Sequence, residues 1–311
     1  MTEKIKHYST IALKGMGMGA ADVVPGVSGG TIAFITGIYD ELLSSVKNFP
    51  KAIARLPANK FNLKIFMEEA NLGFLLALLA GIALSFLSLA KIITALLKNY
   101  PVPVWSFFFG LILASVWFVL KDIDKWKPSH FVSLAAGIAA GYLITVVGPS
   151  QTPDALWFIF VSGAAAICAM ILPGISGSFI LLLLGKYEYM LRAIGSLDLI
   201  AIGVFALGAA SGLISFSHFL SWLLKKYRFV TIAFLGGMMF GSLNKIWPWK
   251  ETVESIFNSK GELIPVREIN VLPCTYVETT GADAMIPAAL IMLATGFLLI
   301  FVIDKIARYR V

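Results

Sequence analysis

Charge is scarce in this chain. Only 14% of its 311 residues are Asp, Glu, Lys or Arg, against about a quarter in ordinary globular domains. With 58% hydrophobic residues and a mean hydropathy of +0.84, that shortage excludes a large soluble core and implies a membrane protein. Cysteine and histidine are rarer still, at two and three copies. Cys168 and Cys274 lie far apart and form no CxxC, so neither a disulfide framework nor a thiolate metal site is indicated. There is no G-x-x-x-x-G-K-[ST], no H-E-x-x-H and no metal-spaced cluster. His7 sits in a tail and His130 at a boundary, which leaves His218 as the internal histidine. The net charge of +7 comes from scattered Lys and Arg without an aromatic-interleaved patch, so nucleic acid is excluded as a partner. The polar N-terminal tail and the absence of an A-x-A-like exit argue against a cleavable signal peptide.

What the chain does have is a hexapeptide and its echo. Pro25-Gly26-Val27-Ser28-Gly29-Gly30 returns as Pro173-Gly174-Ile175-Ser176-Gly177-Ser178. Gly37-Ile38-Tyr39-Asp40 returns as Gly185-Lys186-Tyr187-Glu188, at the same offset of 148. Each copy breaks a long apolar run with the poorest helix formers, Pro and Gly. One copy would be a turn; two in register are a duplicated element.

A basic tail, residues 1–14, precedes the first broken run, Gly15 to Val46, whose pieces are each short of the roughly 20 residues a span requires. Helical-length apolar segments follow at about 71–98, 104–120 and 131–148. A second broken run, about 155–194, leads into three more at about 196–224, 229–247 and 284–303. At an offset of 127, Gly81 to Tyr100 lies over Gly208 to Tyr227, and Phe107, Gly110 and Ser115 over Phe234, Gly237 and Ser242. Gly141-Tyr142-Leu143 weakly answers Gly296-Phe297-Leu298. The expected fold is an all-α integral membrane protein forming a single membrane domain over 1–311. Repeat one covers about 10–148 and repeat two about 154–305, each a broken or re-entrant helical hairpin plus three transmembrane helices.

Charge supplies the orientation. With the N-terminus inside, both tails and the segments 47–70, 121–129 and 225–228 face the cytoplasm and hold 17 of the 25 Lys and Arg residues. This positive-inside pattern makes both termini cytoplasmic and puts the acid-leaning loop 248–283 outside. Each half crosses an odd number of times, so the second is inverted relative to the first. Inverted repeats with discontinuous helices are a secondary-transporter signature.

Irregular backbone at membrane depth survives where protein covers it or where it lines a wet cavity. After each break a half-helix begins, at Ser28-Gly29-Gly30-Thr31 and at Ser176-Gly177-Ser178. Unpaired N–H groups, a partial positive charge and hydroxyl donors there suit an anion, with phosphate the natural occupant. These seven residues are the candidate phosphate site, and Pro25, Gly26, Pro173 and Gly174 break the helices around it. The plain alternative is a pair of kinks or tight interhelical turns. A serine nucleophile would need a paired base, and none is evident near Ser28 or Ser176, so the motifs point to transport rather than catalysis.

Ionisable residues inside a membrane are functional candidates because they are expensive there. Lys91 lies seven residues before Lys98, roughly 10 Å into its span at about 1.5 Å per residue, and falls on His218 in the repeat alignment. Both are candidates to meet an anionic headgroup; alternatively Lys91 snorkels and His218 satisfies a carbonyl. Asp22, whose partner position is Met170, is a candidate for proton or sodium coupling, or simply caps the break. Asp40, Glu41, Lys186, Glu188 and Arg192 lie near the mouths, as headgroup guides or as a solvated edge. Neither a metal nor another cofactor is expected, beyond a coupling ion H+ or Na+.

The stretch from Gly17 to Leu42, G-M-G-A-A-D-V-V-P-G-V-S-G-G-T-I-A-F-I-T-G-I-Y-D-E-L, resembles the signature of the polyprenyl-phosphate transporter family. The second-half I-L-P-G-I-S-G-S-F and the span layout extend the resemblance over essentially the whole chain. It implies a cytoplasmic-membrane protein that returns undecaprenyl phosphate, or a related polyprenyl phosphate, across the bilayer for reuse in cell-envelope polymer synthesis. The family motif maps onto Asp22, Pro25, Gly26, Ser28, Gly29, Gly30 and Thr31, and onto Pro173, Gly174, Ser176 and Gly177. The second copy has Ser178 for Gly30 and Met170 for Asp22, so the two tips need not be equivalent. The partners expected are a lipid-linked phosphate and membrane lipids; the sequence carries no signal of oligomeric state. A membrane lipid-phosphate phosphatase and a transporter of a small soluble anion are the competing readings.

Overall fold

The computed structural model describes residues 2–24, 26–257 and 263–308; Pro25, one of the expected helix breakers, lies outside the described residues. The chain folds as α1 (Thr2–Val23), α2 (Gly29–Ile35), α3 (Tyr39–Arg55), α4 (Leu63–Glu69), α5 (Leu72–Asn99), α6 (Pro101–Leu120) and α7 (Pro128–Val146). Then come α8 (Leu156–Ile171), α9 (Gly177–Leu183), α10 (Tyr187–Gly195), α11 (Leu199–Lys226) and α12 (Arg228–Ser242), which tightens into a 3-10 turn at Leu243–Ile246. Strands β1 (Lys250–Phe257) and β2 (Leu263–Asn270), α13 (Pro273–Thr280) and α14 (Ile286–Arg308) complete it.

The molecule is mostly helical, and the antiparallel β1–β2 ribbon corrects the all-α expectation. The loop 248–283 looks merely polar by composition, yet its two runs Lys250–Phe257 and Leu263–Asn270 each carry β-branched residues, a pattern that favours paired strands. The connector 47–70 likewise contains the end of α3 and all of α4. Helices α5, α6, α7, α11 and α12 with its 3-10 turn are long and apolar enough to cross a membrane; α8 and Ile286–Val302 of α14 are shorter apolar helices. α6 and α12 are mostly buried, whereas α5, α7 and α11 leave most of their apolar side chains exposed, as helices facing lipid do.

Element boundaries recur at the offsets read in the sequence. α1 ends at Val23 and α8 at Ile171; α2 and α9 span 29–35 and 177–183; α3 and α10 start at Tyr39 and Tyr187. α5 and α11 are each 28 residues long and begin at Leu72 and Leu199.

The helices pair through glycine: α1 with α5, α8 with α11, α6 with α14 and α7 with α12. A Cβ on Gly81 would lie 2.0 Å from the Ala12 carbonyl oxygen, and one on Gly208 2.0 Å from that of Phe160. Gly15 and Gly163 meet the Leu78 and Phe205 carbonyls in the same manner, at 2.3 and 2.4 Å. Both partners of each contact are thus shifted by the same 148 and 127. Lipid gives helices no hydrophobic reason to associate, so close backbone approach at small residues supplies the packing energy. In the α6–α14 and α7–α12 crossings, a Cβ on Gly296 would lie 2.0 Å from the Phe107 carbonyl oxygen and one on Gly137 2.2 Å from that of Phe234. Gly296 therefore corresponds to Gly137, which corrects the weak match to Gly141 by one helical turn.

Candidate functional site

Each broken run folds back on itself. Asp22 reaches Gly29, Gly17 sits against the Ile32 side chain, and the Lys14 ammonium donates to the Thr36 carbonyl at 2.7 Å. Those nested contacts set α2 antiparallel to α1. In the second run, Gly177 packs on the Ala166 carbonyl, and the Thr152 hydroxyl donates to the Leu184 carbonyl at 2.5 Å. The corners are glycines with φ of +87° at Gly26 and +90° at Gly174, a backbone conformation that a Cβ penalises. Neither has room for one: it would lie 2.9 Å from Lys245 Cγ at Gly26 and 2.9 Å from Met239 Cα at Gly174.

The first tip is spent on the protein itself. Ser28 and Thr31 are fully buried. The Gly29 N–H donates to Asp22 Oδ1 at 2.7 Å and the Gly30 N–H to Ser28 Oγ at 3.1 Å, so two of the N–H groups opening α2 are filled. The Ser28 hydroxyl points between the carbonyl oxygens of Met170 and Leu172, each 3.1 Å away. Tyr39 donates to the Ile171 carbonyl at 3.1 Å, and the Gly174 N–H donates to Thr31 Oγ1 at 3.0 Å. A helix ending at Ile171 leaves its last carbonyls unpaired; the first tip caps them. Gly30 allows this approach, since a Cβ there would stand 2.5 Å from the Ile171 oxygen.

The second tip is different. Ser176 is buried, but it makes no cap bond to α9, and its hydroxyl pairs with that of Ser178 at 2.8 Å. Gly177 is half-buried and Ser178 exposed. Met170 supplies no carboxylate where Asp22 stands in the first copy. The structure therefore brings Ser28, Gly30, Thr31 and Gly174 together as one interlocked junction and leaves Gly177 and Ser178 open beside it.

Other candidates lie elsewhere or are already engaged. Lys91 is on an exposed face of α5, and His218 Nδ1 bonds to the Ile214 carbonyl of its own helix at 2.8 Å. Asp40 pairs with Arg228 at 3.4 Å on the surface, and Glu41 accepts from Asn71 at 3.0 Å. Lys186, expected at a mouth, is buried: its ammonium donates to the Thr152 carbonyl at 2.9 Å and to Asp154 at 2.5 Å, latching the 150–154 segment to the start of α10. Glu188 is half-buried and Arg192 exposed. Asp22 keeps its second oxygen, Oδ2, buried without a hydrogen-bond partner. Among the described residues no cluster of His, Cys, Asp and Glu is arranged to hold a metal ion.

Sequence reasoning missed a basic pair beside the junction. Lys245, on the 3-10 turn, packs its stem on Gly26 and holds its ammonium 5.0 Å from the centroid of the Phe179 ring of α9, so it lies between the first break and the half-helix after the second. It reaches Glu268 of β2 at 3.5 Å, and Lys250 of β1 approaches the same oxygen at 3.8 Å. Burial pushes the Lys250 ammonium down to about 8, an effect opposed by Glu268 and reinforced by Lys245. The signal available was that Lys245 closes an apolar run whose repeat, at an offset of 127, has Phe118.

Residues 18–264 match the protein family described as undecaprenyl phosphate translocase-like. The chain is similar to a polyprenyl-phosphate transporter of Vibrio cholerae, 46% identical over 308 residues, covering 99% of this chain and 100% of that protein. It is also similar to a polyprenyl-phosphate transporter of Staphylococcus aureus, 33% identical over 258 residues, covering 76% of this chain and 85% of the relative. No solved structure matches the chain.

Proposed function

The chain belongs to the undecaprenyl phosphate translocase-like family, and we propose that it carries a polyprenyl phosphate across the cytoplasmic membrane for reuse in envelope polymer synthesis. It is a multi-pass membrane transporter and not an enzyme. The observation that carries the substrate is the end-to-end likeness to the Vibrio cholerae polyprenyl-phosphate transporter. The exposed Ser178 beside the interlocked junction supports a headgroup site there. The phosphate is received at the junction of the two breaks, on the second tip where Ser178 is exposed and Gly177 half-buried, with the buried Ser176 behind them, while Ser28, Gly29, Gly30 and Thr31 form the wall that holds the junction shut. Only the phosphate then has to be stabilised at membrane depth, and the isoprenoid tail stays in lipid.

The mechanism proposed is alternating access between two inverted repeats. Three things support it: element boundaries that recur at 148 and 127, glycine contacts shifted by the same two offsets, and two helical hairpins that turn back at their Pro-Gly breaks. With an odd number of spans per repeat, the hairpins enter from opposite leaflets and both termini lie in the cytoplasm. Asp22 is the proposed coupling group for H+ or Na+, since one oxygen caps α2 and the other is free to take a proton or cation. Reconstituted in liposomes, the protein is expected to speed leaflet exchange of a polyprenyl phosphate without releasing phosphate from it. Exchange no faster than in empty liposomes, or release of inorganic phosphate, would overturn the reading.

A further inference from the structure

The junction carries a charged group that neither the α9 tip nor Asp22 uses. Among the described residues the buried ammonium nitrogen of Lys250 has no hydrogen-bond partner, and it lies 3.8 Å from the centroid of the Trp105 ring. Its nearest counter-charge, Glu268 Oε2 at 3.8 Å, is also the oxygen that Lys245 reaches at 3.5 Å. Two cations share one carboxylate oxygen, which leaves a net positive charge and, at the buried Lys250, unfilled N–H donors. Buried ammonium groups are retained when something completes their hydrogen bonds. The missing acceptor is anionic and has several oxygens. A phosphate monoester fits, with up to two negative charges and three acceptor oxygens.

Position points the same way. Lys245 contacts Gly26 of the first break and approaches the ring of Phe179 in α9, the half-helix after the second break, one residue beyond the exposed Ser178. Lys250 and Glu268 are diagonal neighbours on one face of the ribbon, because Lys250 pairs with Asn270 and Thr252 with Glu268. Asn270 Nδ2 anchors β2 to the 3-10 turn through the Asn244 carbonyl and side chain, both at 2.8 Å. Glu268 can therefore leave by a side-chain rotation while the strand stays in place.

We propose that Lys245 and Lys250 form the receiving site for the lipid's phosphate on the ribbon side of the junction, and that the Glu268 carboxylate fills this site until the phosphate displaces it. The inference rests on the polyprenyl-phosphate reading above. It is tested with the full-length protein in detergent, titrated with farnesyl phosphate, farnesol and inorganic phosphate. Wild type is expected to bind farnesyl phosphate and not farnesol. Lys250→Met and Lys245→Gln should each weaken binding at least about tenfold, as loss of one partner in a dry charge pair does, and Glu268→Gln should tighten it. Lysine variants that bind like wild type overturn the site, as does a Glu268→Gln that weakens binding. Inorganic phosphate binding as tightly as farnesyl phosphate overturns the lipid assignment. Should Lys250→Met fail to fold, Lys245→Gln and Glu268→Gln decide. Absence of farnesyl phosphate binding to wild type would sink the transport reading itself, which sets that failure apart from failure of the site.

Discussion

Ser28 and Ser178 occupy neighbouring places in one motif and its copy, yet they do different work. The Ser28 hydroxyl caps α2 and faces two carbonyls at the end of α8. Ser28→Ala is expected to cost about 1–3 kcal/mol, the penalty for a lost cap and an unfilled buried acceptor, seen as a lower melting temperature in detergent. Ser178→Ala takes one hydroxyl partner from Ser176 and should lower melting less than Ser28→Ala, while weakening polyprenyl phosphate binding. Equal melting losses in both variants would show that the tips are alike. Lys250 gives the pH counterpart. Its folded value of about 8 lies below the ordinary 10.5, so between those values the unfolded chain holds more protons. Its contribution to stability therefore rises as pH climbs from 8 to 10.5 and is lost as pH falls through 8. Anion binding needs the charged form and runs in the opposite direction. Affinity for farnesyl phosphate should fall above pH 8 in wild type and stay flat in Lys250→Arg, whose guanidinium does not titrate there. The phosphate itself is fully ionised across that window, its second ionisation lying near 6.

Elements are where the sequence spoke most clearly. Pro and Gly in mid-run, with a second copy at a fixed offset, marked both breaks, and apolar run length marked α5, α6, α7, α11 and α12 within a few residues. What stayed hidden was contact between segments far apart in the chain. Nothing local says that Thr31 accepts from Gly174, or that Lys245 lies on Gly26. The ribbon was hidden for another reason: strand pairing depends on a partner run, while loop composition alone reads as polar. Lys186 looked like a headgroup guide or part of a solvated edge because it lies near a mouth of the second broken run; Asp154, 32 residues upstream, captured it instead. The glycine crossings provide an element-scale prediction. Gly81→Ala and Gly208→Ala place a Cβ 2.0 Å from a carbonyl oxygen, and each is expected to destabilise by about 1–3 kcal/mol through overpacking. Gly203→Ala, on α11 with nothing within 4 Å, is the control and should be neutral or slightly stabilising, as helix propensity favours Ala. Detergent melting of the three variants checks this directly.

At the scale of the whole molecule, orientation is tested by the protein's own thiols. Cys274 is exposed, and Cys168 is half-buried. With loop 248–283 outside, a membrane-impermeant maleimide added to intact cells is expected to label Cys274 and to lose its signal in Cys274→Ser. Labelling that requires inverted vesicles would reverse the topology. In the proposed mechanism the same layout has the two broken runs meet at one junction, where the headgroup would be passed between leaflets.

The glycine crossings also set the order in which the chain is assembled. α1 and α5 meet within one half, as do α8 and α11, but α6 must pair with α14 and α7 with α12. During synthesis α6 emerges long before the helix that covers it, and the backbone groove at Gly110 faces lipid until Leu293 arrives. In the first half α6 therefore lacks its glycine-crossing partner until residues 286–308 have been made, and α14 acts as a closing bolt slid home after the other spans. A ribosome that stops before residue 286 leaves a membrane protein with its central helix uncovered, the kind of open surface that quality-control proteases recognise.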